Sequence, residues 1–320
     1  MPTQGGDRKN TACLRRFWLI DHSIRIGVVG ISGKWSSECL VDAVEEKTGY
    51  RLLIDMAEVS ASLSDGGVYF RGIDLTGLDA VIVKKVDEVY ARPLLDRIEL
   101  LRFLEASGVP VFSKPDIIFG LINRLSCSIT LRAGGIPLPD TVITEDLDAA
   151  AQAVRDFGRA VLKPLFSTKA RGMTVIQSDE PDWRDRLADF AKANGMIYIQ
   201  KMVDIPGRDL GVAFLGGKYL ATYARVGNKD SWNTTIHSGG HYEPVEPSDK
   251  ILEIAHRAQG LYDLDFTCVD VAETADGPRV FEVSAFGGFR GLHDAHGIDA
   301  AAMYTDHVLA SLHNSTKRAG

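Results

Sequence analysis

The sequence predicts an α/β chain in three lobes, the second and third of α+β character. Apolar runs alternate with helical segments over the first 115 residues, and a small mixed segment follows to about residue 203. Beyond Pro206-Gly207 the apolar runs lengthen and pair as antiparallel strands. A length of 320 residues accommodates this as one large two-lobed domain or two to three small ones. The expected boundaries are an N-terminal extension over 1–22, an α/β lobe over 23–115, a small lobe over 116–203, a C-terminal lobe over 204–312 and a tail over 313–320.

The first strand is expected over 24–29, an apolar run ending at Gly30, followed by a helix over 37–48 and a strand over 51–55. A hairpin is expected near 68–71, then a strand at 80–84, a helix at 94–106 and a strand at 109–112. Strands separated by helices imply an open, mostly parallel sheet. In the small lobe, helix 124–133 breaks at Gly134-Gly135-Ile136-Pro137. Helix 146–157, strand 160–163, strand 173–176, helix 182–193 and strand 197–202 complete it. The last lobe carries strands 209–215 and 219–225, a helix over 248–261, strands 266–273 and 279–284, and a closing helix over 299–312.

Composition removes several classes. The chain is 45% hydrophobic and 25% charged, ordinary for a globular protein and unlike collagen, disordered chains or disulfide scaffolds. Thirty-six Lys and Arg against 43 Asp and Glu give a net charge of −7, which disfavours nucleic acid or anionic lipid as partner. Cys13, Cys39, Cys127 and Cys268 are widely spaced and read as reduced thiols. The apolar run Phe17-Trp18-Leu19-Ile20 is too short for a signal-peptide core, and no run reaches the roughly eighteen apolar residues of a membrane span. A cytoplasmic location is therefore expected.

Three constellations carry chemistry. Lys163-Pro164-Leu165-Phe166-Ser167-Thr168-Lys169-Ala170-Arg171-Gly172-Met173 lies between two strands and concentrates cations and hydroxyls. Such a loop suits a polyphosphate, although it is no P-loop, and a solvated hairpin is the alternative. Asp270 and Glu282 each interrupt an apolar strand, and the Asp276-Gly277 turn between them would make those strands a hairpin. Carboxylates there need a partner: either Mg²⁺, which takes hard oxygen ligands, or a local Arg. Asn233-Thr234-Thr235-Ile236-His237-Ser238-Gly239-Gly240 and Ser284-Ala285-Phe286-Gly287-Gly288-Phe289-Arg290-Gly291 put glycines where backbone can approach a ligand, or simply turn. His237, His241, His293 and His296 form no zinc motif.

The order basic loop, hinge strand, Gly207-Arg208-Asp209, Arg225, His-Ser-Gly-Gly, Val269-Asp270 and Glu282-Val283-Ser284 resembles the ATP-grasp superfamily, and within it the RimK-like carboxylate–amine ligases. The resemblance spans roughly residues 24–312 and is strong from Asn123 onward. It implies a three-lobed ATP-grasp fold with ATP held between the lid and C-terminal lobes, and an acyl phosphate intercepted by an amine, often that of glutamate. It further implies that Lys163 reaches the nucleotide, that Ser167, Thr168, Lys169, Arg171 and Gly172 cover its phosphates, and that Gln200, Lys201, Met202 and Val203 form the adenine-reading hinge. Asp209 and Arg225 correspond to nucleotide contacts, and Asp270, Glu282 and Ser284 to the three positions holding Mg²⁺, or Mn²⁺ in its place.

The sequence departs from the family pattern at five places, the first being Lys201, where an acid is usual. Ser284 stands for the usual Asn, Asn123-Arg124 for Asp-Lys, Asn233 and Thr235 for Arg and Asn, and 286–290 for Ala-Ser-Pro-Gly. Arg124 keeps the charge with different geometry. Lys163, Arg124 and Arg225 are expected to neutralise the moving phosphoryl group, and Arg290 to hold a substrate carboxylate. The expected partners are a small-molecule or peptide carboxylate and an amino acid such as glutamate, with self-association left open. Three other readings stand beside this one: a D-alanine–D-alanine-like peptide ligase, an ATP-binding module with weakened turnover, and a glutamate ligase for pterin-type carriers whose ring would stack on Trp35.

Overall fold

The computed structural model describes residues 24–227, 234 and 239–319, with side chains to residue 314. Cys13, the 1–22 extension, Asn233, Thr235, His237 and Ser238 lie outside the described residues. The N-terminal lobe opens with β1 (Ile26–Val29), α1 (Trp35–Thr48) and β2 (Leu53–Ile54). Next come β3 (Val59–Ser62), β4 (Gly67–Phe70), β5 (Ile73–Asp74), β6 (Ala80–Val83), α2 (Arg92–Ala106) and β7 (Val111–Phe112). Strands β1, β2, β6 and β7 form a parallel sheet in the order β2-β1-β6-β7, while β3, β4 and β5 form a small antiparallel sheet. β1 and β6 are fully buried, as apolar strands between helix layers must be.

Helix α3 (Pro115–Ile122) was not expected from the sequence. Pro115 reads as a breaker, yet it occupies the first helical turn, where its missing N–H costs nothing. Helix α4 (Arg124–Ala133) starts at once, capped by Asn123, whose Oδ1 accepts from Leu125 N at 3.0 Å. Ile118, Leu121, Cys127 and Leu131 of these two helices pack in the core shared by the first and last lobes. The lid lobe itself comprises β8 (Thr141–Thr144), α5 (Leu147–Phe157), β9 (Arg159–Lys163), β10 (Thr174–Gln177), α6 (Trp183–Asn194) and β11 (Ile197–Lys201). Its strands pair antiparallel in the order β10-β9-β11-β8. β8 escaped the sequence reading because it is half-buried along its whole length and shows no alternation.

The C-terminal lobe is a five-stranded antiparallel sheet, β14-β13-β12-β15-β16. Its elements are β12 (Arg208–Leu215), β13 (Lys218–Val226), β14 (His241–Pro244), α7 (Asp249–Gln259), β15 (Phe266–Thr274), β16 (Gly277–Ser284), α8 (Phe289–His296) and α9 (Ala300–Ala319). Edge strand β14 is largely exposed and α8 is short, so neither carries a clear apolar period.

Packing ties the first and last lobes together. One core cluster joins Val81 and Leu101 to Val212 and Val269, and a second joins Ile26, Leu40 and Val44 to Phe266, Tyr304 and Val308. The lid sheet has its own cluster around Val154, Leu162, Ile176, Leu187 and Ile199. A lid with a separate core can move as a unit over the cleft it borders. Among the described residues, no helix is long and apolar enough to cross a membrane.

Candidate active site

The cleft between the lobes measures about 1140 Å³ and is lined from all three of them. That exceeds the roughly 300–1,000 Å³ of a single small-ligand pocket, so a nucleotide and a second substrate can share it. Its floor is the C-terminal sheet. β15 and β16 form the expected hairpin, with Asp270 directly opposite Glu282. Ser284, two residues beyond Glu282, projects from the same face. Across β12 and β13, Asp209 lies opposite Arg225, and Gly211 lies opposite Asp270. Sheet register therefore assembles three carboxylates and an arginine on one surface.

These groups are paired. The Arg225 guanidinium donates to Asp209 at 3.0 Å and reaches Asp270 at 3.0 Å. Burial opposes its charge, but Asp209 and Asp270 together hold its pKa well above the usual arginine value. The Asp209 carboxylate also accepts from the Thr234 hydroxyl, so it positions Arg225 and has little capacity left for a ligand. Asp270 is pushed up to about 7, first by burial, with Arg225 opposing and Glu282 and Asp209 adding repulsion. A buried carboxylate that resists ionisation beside two others is a place for a cation.

Asp270, Glu282 and the Ser284 hydroxyl fit Mg²⁺, which takes few protein oxygens and completes its shell with water and phosphate. No cluster of three or more His, Cys, Asp or Glu able to hold a metal occurs among the described residues. His241 instead meets Glu243, His293 meets Asp294, and His296 meets the Thr222 carbonyl.

The lid and the start of α4 supply cations. Lys163 is buried at the end of β9, and its ammonium donates to Gln200 Oε1 at 2.5 Å and lies 5.1 Å from the Phe281 ring centre. Burial first, and then Arg124, lower its pKa to about 7. Gln200 is oriented by Thr141 Oγ1 at 3.1 Å. Arg124 Nη1 donates to Glu282 Oε2 at 2.9 Å, and its Nε donates to the Pro164 carbonyl at 3.3 Å, so it links the lid loop to the floor. Met202 N–H donates to the Arg159 carbonyl, whereas the Val203 backbone makes no hydrogen bond to any described residue. Lys201 points toward Asp140, 3.8 Å away.

In the loop after Lys163, Ser167 Oγ donates weakly to the Pro164 carbonyl at 3.4 Å and Thr168 accepts from Arg171 N at 3.3 Å. Lys169 and Ala170 adopt left-handed conformations, and Gly172 follows at φ +68°. These turns carry Lys169 and Arg171 to the N-terminal lobe, where Arg171 donates to the Glu88 carbonyl at 3.2 Å.

Arg290 lies over the Trp35 ring, 4.0 Å from its centre, and His293 meets the same ring edge-on. The glycines after Glu282 require a correction. At Gly287 a Cβ would stand 2.4 Å from Phe266, and at Gly291 2.5 Å from Tyr223. Close approach there is to the protein's own aromatic rings, which seat α8 on the sheet.

Sequence reasoning passed over Lys84 and Lys85, which directly follow β6. Lys84 is buried and donates at 2.7 Å to both the Phe286 and Gly287 carbonyls, and burial lowers its pKa to about 7. It is a positioning residue for the loop that leads into α8, the helix that carries Arg290. Its one sequence signal was a charge abutting the wholly apolar Ala80-Val81-Ile82-Val83.

A three-lobed fold with a mobile-capable lid over paired acids and a converging set of cations defines a nucleotide-using ligase. Residues 122–308 match the RimK-like ATP-grasp domain, and the chain belongs to that family. It is an ATP-grasp ligase, forming a C–N bond on a substrate carboxylate through an acyl phosphate. A tetrahydromethanopterin:alpha-L-glutamate ligase of Methanosarcina acetivorans is 30% identical over 313 residues, covering 88% of this chain and 95% of that one. Its counterpart of Methanococcus maripaludis is 27% identical, covering 89% and 98%. The ATP-grasp ligase PsnB, solved with a precursor variant, Mg and ADP, shares the fold at a TM-score of 0.70 and 19% identity, covering 92% of this chain and 100% of that one.

Proposed function

We propose that the chain joins the amino group of L-glutamate to the carboxylate of a small molecule, converting ATP to ADP and phosphate. The observation that carries this reading is the Asp270–Glu282 pair facing Lys163, Arg124 and Arg225 in one cleft. Adenine would sit at the Val203 backbone, with the triphosphate along Lys163 and under the loop 167–172. Asp270, Glu282 and Ser284 would hold Mg²⁺, which supplies charge neutralisation at the terminal phosphates when bound. Lys163 and Arg225 face the oxygens whose charge grows as the γ-phosphoryl group moves to the substrate carboxylate. The lid loop excludes water from the acyl phosphate until the amine attacks. The names of the two methanogen relatives and the flat Trp35–Arg290 shelf favour a substrate with a planar ring.

The test is chemical. Protein, ATP, Mg²⁺, isotopically labelled L-glutamate and a low-mass cell extract should yield ADP and a product heavier by one glutamyl residue, and hydroxylamine in place of glutamate should trap a hydroxamate. ADP release with no trapped acyl group removes the mechanism; a labelled product with another amino acid only removes glutamate. Arg290→Ala is expected to raise KM for the carboxylate substrate roughly tenfold, leaving KM for ATP unchanged. Initial-rate kinetics with each substrate varied would show it.

A further inference from the structure

The parallel sheet, ordered β2-β1-β6-β7, changes its direction of winding between β1 and β6. Open α/β sheets bind ligands in the crevice beyond the carboxyl ends of such neighbouring strands. Here that crevice opens into the cleft and is unusually cationic. After β1 the chain places Lys34 at the start of α1, with no side-chain cap. Among the described residues the first-turn N–H groups of Trp35 and Ser36 have no acceptor. After β6 comes Lys85, half-buried, whose ammonium has no hydrogen-bond or ion-pair partner among the described residues. The lid loop brings Lys169 and Arg171 over the same place. Against these four cations stands Glu88, which pairs with Lys34, while the neighbouring Asp87 is taken by Arg97 at 2.5 Å.

We propose that this crevice is an anion subsite, so that the substrate whose carboxylate is activated carries a further anionic group, a phosphate or a second carboxylate, seated against Lys34, Lys85 and the α1 N-terminus. The inference rests on the ligase reading above and names the class of substrate for it. The reacting carboxylate meets the phosphoryl group over the C-terminal sheet, so it does not account for cations on the other lobe. Convergent like charges in a partly desolvated crevice repel one another until an anion arrives. Lys85 shows this repulsion: burial first, and then Lys169, depress its pKa. A helix N-terminus adds directed N–H donors and a favourable dipole. Lys169 and Arg171, assigned above to the nucleotide phosphates, border the same crevice, so closure of the lid over the triphosphate would also close over the anion.

Calorimetry on the whole chain, loaded with a non-hydrolysable ATP analogue and Mg²⁺, tests this with three probes: phenylphosphonate, benzoate and benzamide. At least one of the two anions should bind about tenfold more tightly than benzamide, and the tighter one names the group. Lys85→Met should weaken the bound anion about tenfold, and the exposed Lys34→Gln should weaken it severalfold, with melting curves confirming that both variants fold. Equal binding of benzamide, unchanged affinity in both variants, no anion binding, or displacement of the anion by the nucleotide analogue would each overturn the proposal. Failure of the analogue itself to bind counts against the ligase reading, and the probes then still report on the crevice in the free protein.

Discussion

Replacing Lys163 with Met is expected to lower turnover by about a hundredfold to a thousandfold, the usual cost of removing one preorganised donor from developing charge. Lys163 is held for that task. Its ammonium has a neutral acceptor in Gln200 and an aromatic face in Phe281, but no carboxylate bonded to it. A cation buried on those terms is poorly stabilised in the free protein, as its pKa of about 7 shows, and becomes well stabilised only when phosphate arrives. Lys163→Arg is not expected to rescue, because a planar fork does not fit a site shaped around one ammonium between Gln200 and Phe281.

The same variant carries a pH signature. The folded pKa of about 7 lies below the ordinary lysine value of 10.5, so between those limits the unfolded chain binds more protons than the folded one. Stability from this group therefore rises with pH across that window. Lys84 contributes in the same direction, since its pKa also falls to about 7. Lys163→Met should remove part of the rise, read as a smaller gain in melting temperature between neutral and alkaline buffer. Nucleotide affinity has the opposite slope, weakening as Lys163 loses its proton, and the Met variant should lose that alkaline limb.

Legibility followed the physics of each feature. Asp270 and Glu282 were visible because a carboxylate within an apolar strand violates burial rules, and the Asp276-Gly277 turn then fixed their partnership. Lys163 and Gln200 were reached through resemblance; the bond between them depends on β9 pairing with β11. Lys84 and Lys85 were missed because a lysine at a strand end ordinarily points to solvent. What buries Lys84 is a loop two hundred residues away, which no local pattern encodes. The glycines after Glu282 were legible as close approach but not as to what, since Phe266 and Tyr223 arrive from other strands.

The pairings raise a question about Glu282, since a structural ion pair with the buried Arg124 would by itself account for an acid within an apolar strand. A double-variant cycle separates that reading from metal binding. Glu282→Gln should abolish measurable turnover and weaken Mg²⁺–nucleotide binding. It should also lower stability by about 1–3 kcal/mol, because the buried Arg124 guanidinium loses the carboxylate 2.9 Å away. Adding Arg124→Met removes the orphaned charge, so stability should return toward that of the parent. Arg124 itself lines the phosphate site, so the metal dependence of nucleotide binding is the deciding readout. If the carboxylate serves only the pair, that dependence survives in the double variant; if it faces Mg²⁺, stability recovers while the dependence stays lost. The acid limb of binding offers a second readout. Asp270 must shed its proton to face a cation, so the gain in nucleotide affinity that Mg²⁺ brings, compared with metal-free nucleotide at each pH, should rise as pH increases through about 7. Glu282 is one of the charges that raise the Asp270 pKa, so the Gln variant should shift that rise to lower pH even as overall affinity falls. A structural pair with no metal role predicts no such acid limb in Mg²⁺–nucleotide binding, and calorimetry across pH on the parent and both variants decides between them.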